Sequence, residues 1–279
     1  MEEVLAMSIG VQRIAAFSDG DAGGNPAGVV IGEAHPSVDE MRRIAADVGF
    51  SETAFAMPQG AGWRVRYFSP ASEVPFCGHA TIALGAALAA REGDGVFALR
   101  INSADITVEG RKQGALYAAA LQSPPTRSRA PDAGLLREAM SLFGLRDDEL
   151  DPRIPPAHAH GGADHLVLVL RDRARLAAMD YDLATGKILM DKAGWVTILL
   201  GWIETDSRFH TRNAFASGGV LEDPATGAAT AAFAGYLRDL HWPHGGAIDI
   251  VQGEDMGSRS LLHAEIPAEP VHRDKLSAR

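Results

Sequence analysis

The sequence has 279 residues, of which 46% are hydrophobic and 22% charged, a composition typical of globular proteins with a sizeable core. The formal net charge of -10 argues against nucleic acid or an anionic membrane surface as the main partner, because both attract concentrated Lys and Arg. No run approaches the roughly 20 apolar residues of a membrane span, Met1–Met7 lacks the features of a signal peptide, and the single cysteine, Cys77, excludes an internal disulfide, so we expect a cytoplasmic protein.

The first half of the chain predicts strands interrupted by two helices. Alternating or β-branched side chains predict strands over 11–17, 27–31, 50–55, 63–68, 96–99, 106–108 and 115–121. Ser37 and Glu40 have capping-box spacing, and the apolar residues that follow predict a helix ending near Gly49. An uncharged, Ala-rich run over 80–90 predicts a second, buried helix.

A stretch rich in Pro, Ser and Arg at 122–133 is the best linker candidate. We therefore predict two domains, 1–125 and 126–279, with the alternative that the final strand or tail returns to the first. The second half predicts helices over 135–143, 176–179 and 229–240, and strands over 165–170, 195–203, 248–251 and 261–266. This pattern predicts an α+β fold in which each half wraps a curved sheet around a central apolar helix.

Two stretches, 73–81 and 222–230, share the frame Glu-x-Pro-x-x-Gly-x-Ala-Thr, and each leads into one of the apolar helices. We interpret them as equivalent loops of a duplicated fold. The start of a helix leaves backbone N–H groups without intrahelical partners and carries the positive end of the helix dipole. Two such ends facing each other would cradle a carboxylate or an enolate. The alternative is that both are simply well-capped core helices.

The polar groups within this frame differ between the halves. Under the alignment, Cys77, Val74 and His79 in the first stretch correspond to Thr226, Asp223 and Ala228 in the second. We expect the shared residues to form the scaffold and the differing ones to carry chemistry. Glu52, His79 and Asp223 are the candidates for proton transfer, although each by itself is compatible with an ordinary, partly buried polar residue.

Three further groups are open to two interpretations. Cys77 is either a thiolate base favoured by a helix N-terminus or a small buried hydrophobe. His158, His160 and His165 have a spacing that permits metal chelation, but the two adjacent glycines fit an ordinary loop before a strand better, so we predict no metal. The turn containing Asn25 lacks the spacing of a nucleotide-binding loop, which implies no nucleotide cofactor.

Six short motifs together resemble the PhzF-like phenazine-biosynthesis family, in the family order from residue 11 to about 266. They are Gly24-Asn-Pro-Ala27, Ser51-Glu-Thr-Ala-Phe55, Arg66-Tyr-Phe-Ser-Pro70, Gly78-His-Ala-Thr81, Glu222-Asp-Pro-Ala-Thr-Gly227, and Gln252-Gly253 followed by Met256-Gly257. The resemblance implies a diaminopimelate-epimerase-like fold of two similar α+β domains with the active site in the cleft between them, no cofactor, and a homodimer.

The resemblance also implies a chemistry. In the family's namesake, trans-2,3-dihydro-3-hydroxyanthranilate isomerase, a Glu moves a proton between substrate carbons. The matching residue is Glu52, and His79 and Asp223 match cleft residues that bind substrate and assist. The remaining positions expected to line the substrate site are Asn25, Ser51, Cys77, Gly78, Thr226, Gly227, Ala228 and Gly253.

Two departures from the family pattern affect the expected substrate. Ala228 replaces the usual Ser, and Gly257-Ser-Arg-Ser260 stands where Gly-Arg-Pro-Ser is usual, so we expect an altered pocket. The sequence therefore predicts a cofactor-independent isomerase acting on a small, carboxylate-bearing molecule. The alternatives are an amino-acid epimerase or racemase, whose two-cysteine form is disfavoured by the single thiol, and a non-catalytic small-molecule binding protein on the same fold.

Overall fold

The computed structural model describes residues 10–102 and 104–268. Met1–Met7 and the C-terminal tail beyond residue 268, on which two of the sequence-based expectations depend, lie outside the described residues. The chain divides into two compact units, the first formed by Met1–Ala16 and Pro26–Gln122 and the second by Phe17–Asn25 and Ser123–Arg279. Each unit contains one mixed, eight-stranded sheet.

The first sheet has the strand order β1-β2-β3-β4-β6-β7-β8, with the short β5 paired to β4. Its elements, in chain order, are β1 (Gln12–Ala16), β2 (Asn25–Ile31), α1 (Val38–Val48), β3 (Thr53–Gln59), β4 (Gly62–Phe68), β5 (Glu73–Val74), α2 (Gly78–Glu92), β6 (Gly95–Arg100), β7 (Asp105–Gln113) and β8 (Leu116–Leu121). Strands β2 and β3 run parallel, as do β4 and β6, whereas β3 with β4 and β4 with β5 are antiparallel.

The second sheet has the order β16-β15-β13-β12-β11-β10-β9, with the short β14 paired to β13. Its elements are β9 (Arg127–Arg129), α3 (Ala133–Leu142), β10 (Ala157–His160), β11 (Asp164–Leu170), α4 (Arg173–Ala177), α5 (Leu183–Ala193), β12 (Thr197–Thr205), β13 (Arg208–Ala214), β14 (Glu222–Asp223), α6 (Gly227–Asp239), β15 (Ala247–Gln252) and β16 (Ser260–Glu265). Strands β11, β12, β13, β14 and β15 repeat the parallel and antiparallel pattern of β2, β3, β4, β5 and β6. The predicted duplication is thus present in the strand topology.

Each curved sheet packs one face against a central helix, as the sequence predicts. Leu84 and Leu88 of α2 lie in the core of the first unit, and Phe233 and Leu237 of α6 lie in that of the second. Because most side chains of these two helices contribute apolar area removed from water, their Arg, Asp and Glu residues are confined to the last turn.

The opposite face of each sheet is covered differently. In the first unit α1 packs there through Met41 and Ala45. In the second unit α3, α4 and α5 share this role, through Met140, Leu176 and Leu189. No helix within the described part of the chain is long and apolar enough to cross a membrane.

Most predicted elements are present with shifted ends, and the ends have local causes. Helix α1 begins after Ser37, whose side chain accepts a hydrogen bond from the Glu40 N–H, and ends at Gly49 with φ 73°. Strand β1 stops before Phe17 because that residue has φ 61°, which an extended strand cannot contain.

Three predictions for the second half were wrong or incomplete. The expected linker over 122–133 contains β9, which pairs with β10 through Ser128 and Ala159, so the Pro-rich stretch is partly sheet edge. Helix α5 was missed because its apolar residues do not form a clear helical stripe. The helix expected over 176–179 ends at Ala177 instead.

Candidate active site

Three reactive side chains meet in the first unit. The Cys77 thiol donates to Glu52 Oε2 over 3.5 Å and lies 3.3 Å from His79 Nδ1. His79 Nε2 lies 3.4 Å from Glu52 Oε2. Cys77 is buried, whereas the side chains of His79 and Glu52 keep 10% and 21% of their surface exposed. The cluster is therefore largely desolvated but open enough to meet a small molecule.

The backbone around these residues is fixed by the sheet and by α2. Glu52 lies one residue before β3, although the strand predicted over 50–55 included it, and its carbonyl oxygen accepts a hydrogen bond from the Gly28 N–H. Cys77 is the N-cap residue of α2. Its carbonyl oxygen accepts from the Thr81 hydroxyl at 2.7 Å, and that hydroxyl lies 2.6 Å from the buried Tyr67 hydroxyl. Thr81, the last residue of the shared frame, therefore fixes the start of α2.

The surroundings of His79 favour its neutral form. Burial lowers the pKa of His79, and the charge of Glu52 opposes that shift only in part. The Ser51 hydroxyl lies 3.3 Å from His79 Nε2, so it supplies a further hydrogen-bonding partner. A neutral imidazole can both donate and accept, which suits a residue that hydrogen-bonds a substrate while a neighbour moves a proton.

The start of α2 adds a fixed positive potential. The first turn of this helix contains no acidic side chain, and the Cys77 side chain makes no capping hydrogen bond to the helix backbone. The first N–H groups of the helix therefore remain available to an anionic ligand. A Cβ atom placed on Gly78 would meet no heavy atom within 4 Å among the described residues.

A second set of polar side chains surrounds Asp223 in the second unit. Asn25 Nδ2 donates to Asp223 Oδ1 at 2.9 Å and to the Ala225 carbonyl oxygen at 3.1 Å. The Thr226 hydroxyl donates to Asp223 Oδ2 at 2.5 Å. Asn25 is buried, so its amide holds the carboxylate in a defined orientation. The same loop then opens α6, whose first turn includes Ala228 and contains no acidic residue.

Gln252 and Gly253 support this loop from the end of β15. The buried Gln252 amide donates to the Asp223 carbonyl oxygen at 2.7 Å, and its oxygen accepts from the Thr226 N–H at 3.2 Å. Gly253 has φ 73°, and a Cβ there would collide with the Pro224 carbonyl oxygen at 2.7 Å. Gln252 is a positioning residue that the site prediction missed, although the quoted Gln252-Gly253 motif contained the signal.

An Arg–Glu ion pair, partly buried in the first unit and more deeply buried in the second, holds each signature loop (73–81 and 222–230) to its sheet. In the first unit Arg66 binds Glu73 through two hydrogen bonds of 2.8 and 2.6 Å. In the second, Arg212 binds Glu222 in the same way at 3.1 and 2.5 Å. Arg66 holds the pKa of Glu73 below its usual range. The Glu that opens the shared frame is therefore structural, which sequence comparison of the two halves alone did not reveal.

The predicted residues accordingly form one group in each unit. The first unit brings together Ser51, Glu52, Cys77, Gly78 and His79. The second holds Asn25, Asp223, Thr226, Gly227, Ala228 and Gly253 on the loop before α6 and on its support.

The three histidines that suggested a metal do not converge. His158 Nε2 and His160 Nδ1 both lie 3.0 Å from Asp164 Oδ1. His158 Nδ1 is approached by the Trp195 indole N–H at 3.1 Å, so it is an acceptor and its proton is on Nε2. His165 pairs with Ala159 across the strands and therefore lies on the opposite face of the sheet.

Comparison with known proteins identifies the family. A family model described as phenazine biosynthesis-like protein matches residues 14–279. The chain belongs to the phenazine biosynthesis-like family. Among its relatives in this family, a Deinococcus radiodurans protein named an uncharacterized isomerase is 34% identical, and the match covers 91% of this chain and 85% of that protein.

Other relatives and structures agree with this membership. Trans-2,3-dihydro-3-hydroxyanthranilate isomerase of Pseudomonas chlororaphis is 30% identical over 90% of this chain and 88% of its own length. The fold is similar to that of a PhzF-family protein of Bacillus anthracis, with TM-score 0.79, 22% identity, and coverage of 91% of this chain and 88% of that one. Because relatives of comparable similarity are named isomerases, the chain is an enzyme of the isomerase class.

Proposed function

We propose that the protein is a cofactor-independent isomerase that relocates a proton on a small, carboxylate-bearing substrate similar to trans-2,3-dihydro-3-hydroxyanthranilate. The observation that carries the proposal is the contact of the Glu52 carboxylate with the Cys77 thiol and the His79 imidazole, at 3.5 and 3.4 Å. A carboxylate in a mostly desolvated site beside a neutral imidazole has the arrangement of a general acid/base.

In the proposed reaction Glu52 removes a proton from one substrate carbon and returns it to another, so the composition of the substrate is unchanged. The electron pair left by the first transfer shifts through the conjugated system of the substrate. The N–H groups at the start of α2 stabilise the negative charge that develops. His79 hydrogen-bonds the substrate and orients the Glu52 carboxylate.

Asp223 is assigned the role of a substrate-binding and assisting carboxylate. Its two oxygens are oriented by Asn25 and Thr226, which supports a fixed position for a substrate hydrogen-bond donor. The family pattern that the sequence resembles has Ser where this chain has Ala228, so we propose that a less polar group of the substrate lies there. We further propose domains 1–125 and 126–279, a cytoplasmic homodimer, and no requirement for a cofactor.

Isotope exchange tests the proposal directly. The protein is incubated in deuterated water with trans-2,3-dihydro-3-hydroxyanthranilate and related cyclic carboxylic acids, and the products are followed by NMR. We expect double-bond migration, with deuterium entering the receiving carbon because the partly exposed Glu52 carboxyl exchanges its proton with solvent between the two transfers. Glu52→Gln should lower the rate by about 10²–10⁴-fold. Glu33→Gln, whose side chain is 87% exposed, is the matched control and should leave the rate unchanged.

The same experiment separates the alternatives. An epimerase or racemase would place deuterium at a carbon that inverts while every double bond stays in place. A binding protein would show no exchange. Full activity in Glu52→Gln would refute Glu52 as the shuttle, even if the isomerisation itself is observed.

A further inference from the structure

The Glu52, Cys77 and His79 cluster also has the donor set of a metal site. One oxygen, one sulfur and one nitrogen donor all lie within 4.8 Å of one another. Cys77 Sγ is 3.5 Å from Glu52 Oε2, and His79 Nε2 is 3.4 Å from the same oxygen and 3.9 Å from the sulfur. Each residue comes from a fixed backbone position at the end of a strand or the start of a helix.

These separations fit a tetrahedral ion. Zinc binds carboxylate oxygen and imidazole nitrogen at about 2.0–2.2 Å and thiolate sulfur at about 2.3 Å, which places neighbouring donors about 3.3–3.7 Å apart. The two distances to the Glu52 oxygen already lie in that range. The sulfur lies closer to Nδ1 of His79, at 3.3 Å, than to Nε2, at 3.9 Å, so the His79 ring must turn to direct a nitrogen lone pair at an ion shared with Cys77. Three protein ligands leave the fourth position for water, as in catalytic zinc sites.

Charge and ligand type favour a thiophilic divalent cation. A carboxylate and a thiolate together neutralise a dication, and a coordinating cation itself displaces the proton of the thiol. Sulfur and nitrogen donors select zinc or cobalt over magnesium and calcium, which prefer oxygen alone. The second signature loop has Thr226 and Ala228 at the positions of Cys77 and His79, so it offers no equivalent donor set.

We propose that Glu52, Cys77 and His79 form a binding site for zinc or a similar thiophilic divalent cation, and that the bound ion inhibits the enzyme reversibly. Inhibition follows because the ion takes the Glu52 oxygen and the His79 nitrogen that proton transfer requires. This second half of the proposal rests on the proposed isomerase function. The binding itself does not.

Binding is measured first, without substrate, on the full chain freed of any affinity tag. Cobalt(II) alone is titrated in while absorbance is recorded, since thiolate coordination gives a sulfur-to-cobalt charge-transfer band. Because Cys77 is the single cysteine, any such band reports this site. We expect one equivalent of cobalt, displacement by zinc, and no displacement by magnesium. Absence of the band at millimolar cobalt would overturn the proposal.

Variants then assign the other ligands. Cys77→Ser should abolish the band, and Glu52→Gln should weaken binding at least tenfold. His263→Ala is the control, because His263 forms an exposed pair with Asp249 at 2.8 Å that represents ordinary surface binding, and it should change nothing. Binding unaffected by Glu52→Gln would overturn the assigned ligand set. If a variant unfolds by circular dichroism, zinc protection of Cys77 from alkylation in the unaltered chain decides: unchanged alkylation overturns the site.

Activity is the last measurement. Zinc at saturating occupancy should reduce isomerisation at least tenfold, and a chelator should restore it. Undiminished turnover with cobalt or zinc bound would overturn the inhibitory role. Failure to find any isomerase activity would count against the proposed function, and the titration of the metal alone would still decide on the site.

Discussion

At the scale of single residues, His165 makes the stability of the folded second unit depend on pH. It is completely buried on β11, and its Nδ1 lies 2.8 Å from the Thr197 hydroxyl. Within the described residues, its Nε2 has no hydrogen-bond partner. Burial lowers the pKa of His165 to about 3. The folded protein therefore keeps this imidazole neutral at pH values where the unfolded chain protonates it.

We predict that stability falls as pH drops below about 6.5, the ordinary pKa of histidine. Between that value and the folded pKa the unfolded chain binds one more proton, so His165 alone removes about 1.4 kcal/mol from the free energy of unfolding per pH unit. His35 and His79, whose pKa values burial also lowers, add to the same trend.

Urea unfolding at pH 7, 6.5, 6 and 5.5 tests this prediction, above most of the range in which carboxylates titrate. His165→Asn should lower the free energy of unfolding at pH 7. It should also reduce the slope of that free energy against pH by the amount that corresponds to one bound proton. His263→Asn, an exposed control, should leave the slope unchanged. An unaltered slope in His165→Asn would contradict the prediction.

Motif spacing in the sequence singles out Glu52, His79 and Asp223 as site residues, and that assignment stays a prediction. The sequence says less about the contacts that surround them. The contacts of Asp223 with Asn25 and of Glu52 with Cys77 were not predictable, because they join residues 198 and 25 positions apart. The ion pairs of Arg66, which lies in a quoted motif, and of Arg212 were not predicted, because an Arg on a strand gives no local sign of the Glu with which it pairs.

At the scale of elements, the two Arg–Glu pairs hold the short strands β5 and β14. They occupy equivalent places, but the side chains of Arg212 and Glu222 are only 12% and 5% exposed, against 21% and 26% for Arg66 and Glu73. An unpaired charge costs more where water cannot reach it. The second pair should therefore matter more to stability than the first.

We predict that Arg212→Leu lowers the free energy of unfolding by about 3–5 kcal/mol, because it leaves Glu222 buried and uncompensated. Arg66→Leu should cost clearly less. The double change Arg212→Leu with Glu222→Leu should recover part of the lost stability, because it also removes the uncompensated Glu222 carboxylate. Urea denaturation of the four proteins is the measurement. An equal cost for the two single changes would show that burial does not distinguish the pairs.

Element prediction succeeded where local patterning was strong and failed where tertiary contacts decide. The apolar helices α2 and α6 were evident from composition alone. Strand β9 was not, because three residues of an Arg-rich segment become a strand only by pairing with β10. The short strands β5 and β14 likewise depend on their neighbours β4 and β13 and have no pattern of their own.

At the scale of the whole molecule, residues 17–25 leave the first unit and become part of the second. The Leu261 N–H donates to the Phe17 carbonyl oxygen at 2.8 Å, and the Gly24 N–H donates to the Arg259 carbonyl oxygen at 3.1 Å. Arg259 also forms an ion pair with Asp19. The second unit is therefore incomplete without a segment that the sequence assigns to the first half.

We predict that a fragment comprising residues 123–279 has a melting temperature at least about 5 °C below that of a fragment to which residues 17–25 are restored. A loss of about 2 kcal/mol shifts the melting temperature of a unit of this size by about 4–8 °C. The restoring segment is added as a synthetic peptide of residues 15–27, with a scrambled peptide as control, and unfolding is followed by circular dichroism. No stabilisation by the native peptide would contradict the prediction.

The ion pairs Arg66–Glu73 and Arg212–Glu222 suggest how the pocket residues of this fold can be varied in the laboratory. Because neither ion pair involves the side chains at 79 and 228, those two positions can be randomised together in a library while the ion pairs, Cys77 and Thr226 stay constant. Such a library would sample new pockets at little risk to folding. The duplicated frame is thus a starting point for directed evolution, and the residues of the two ion pairs are the ones to leave unvaried.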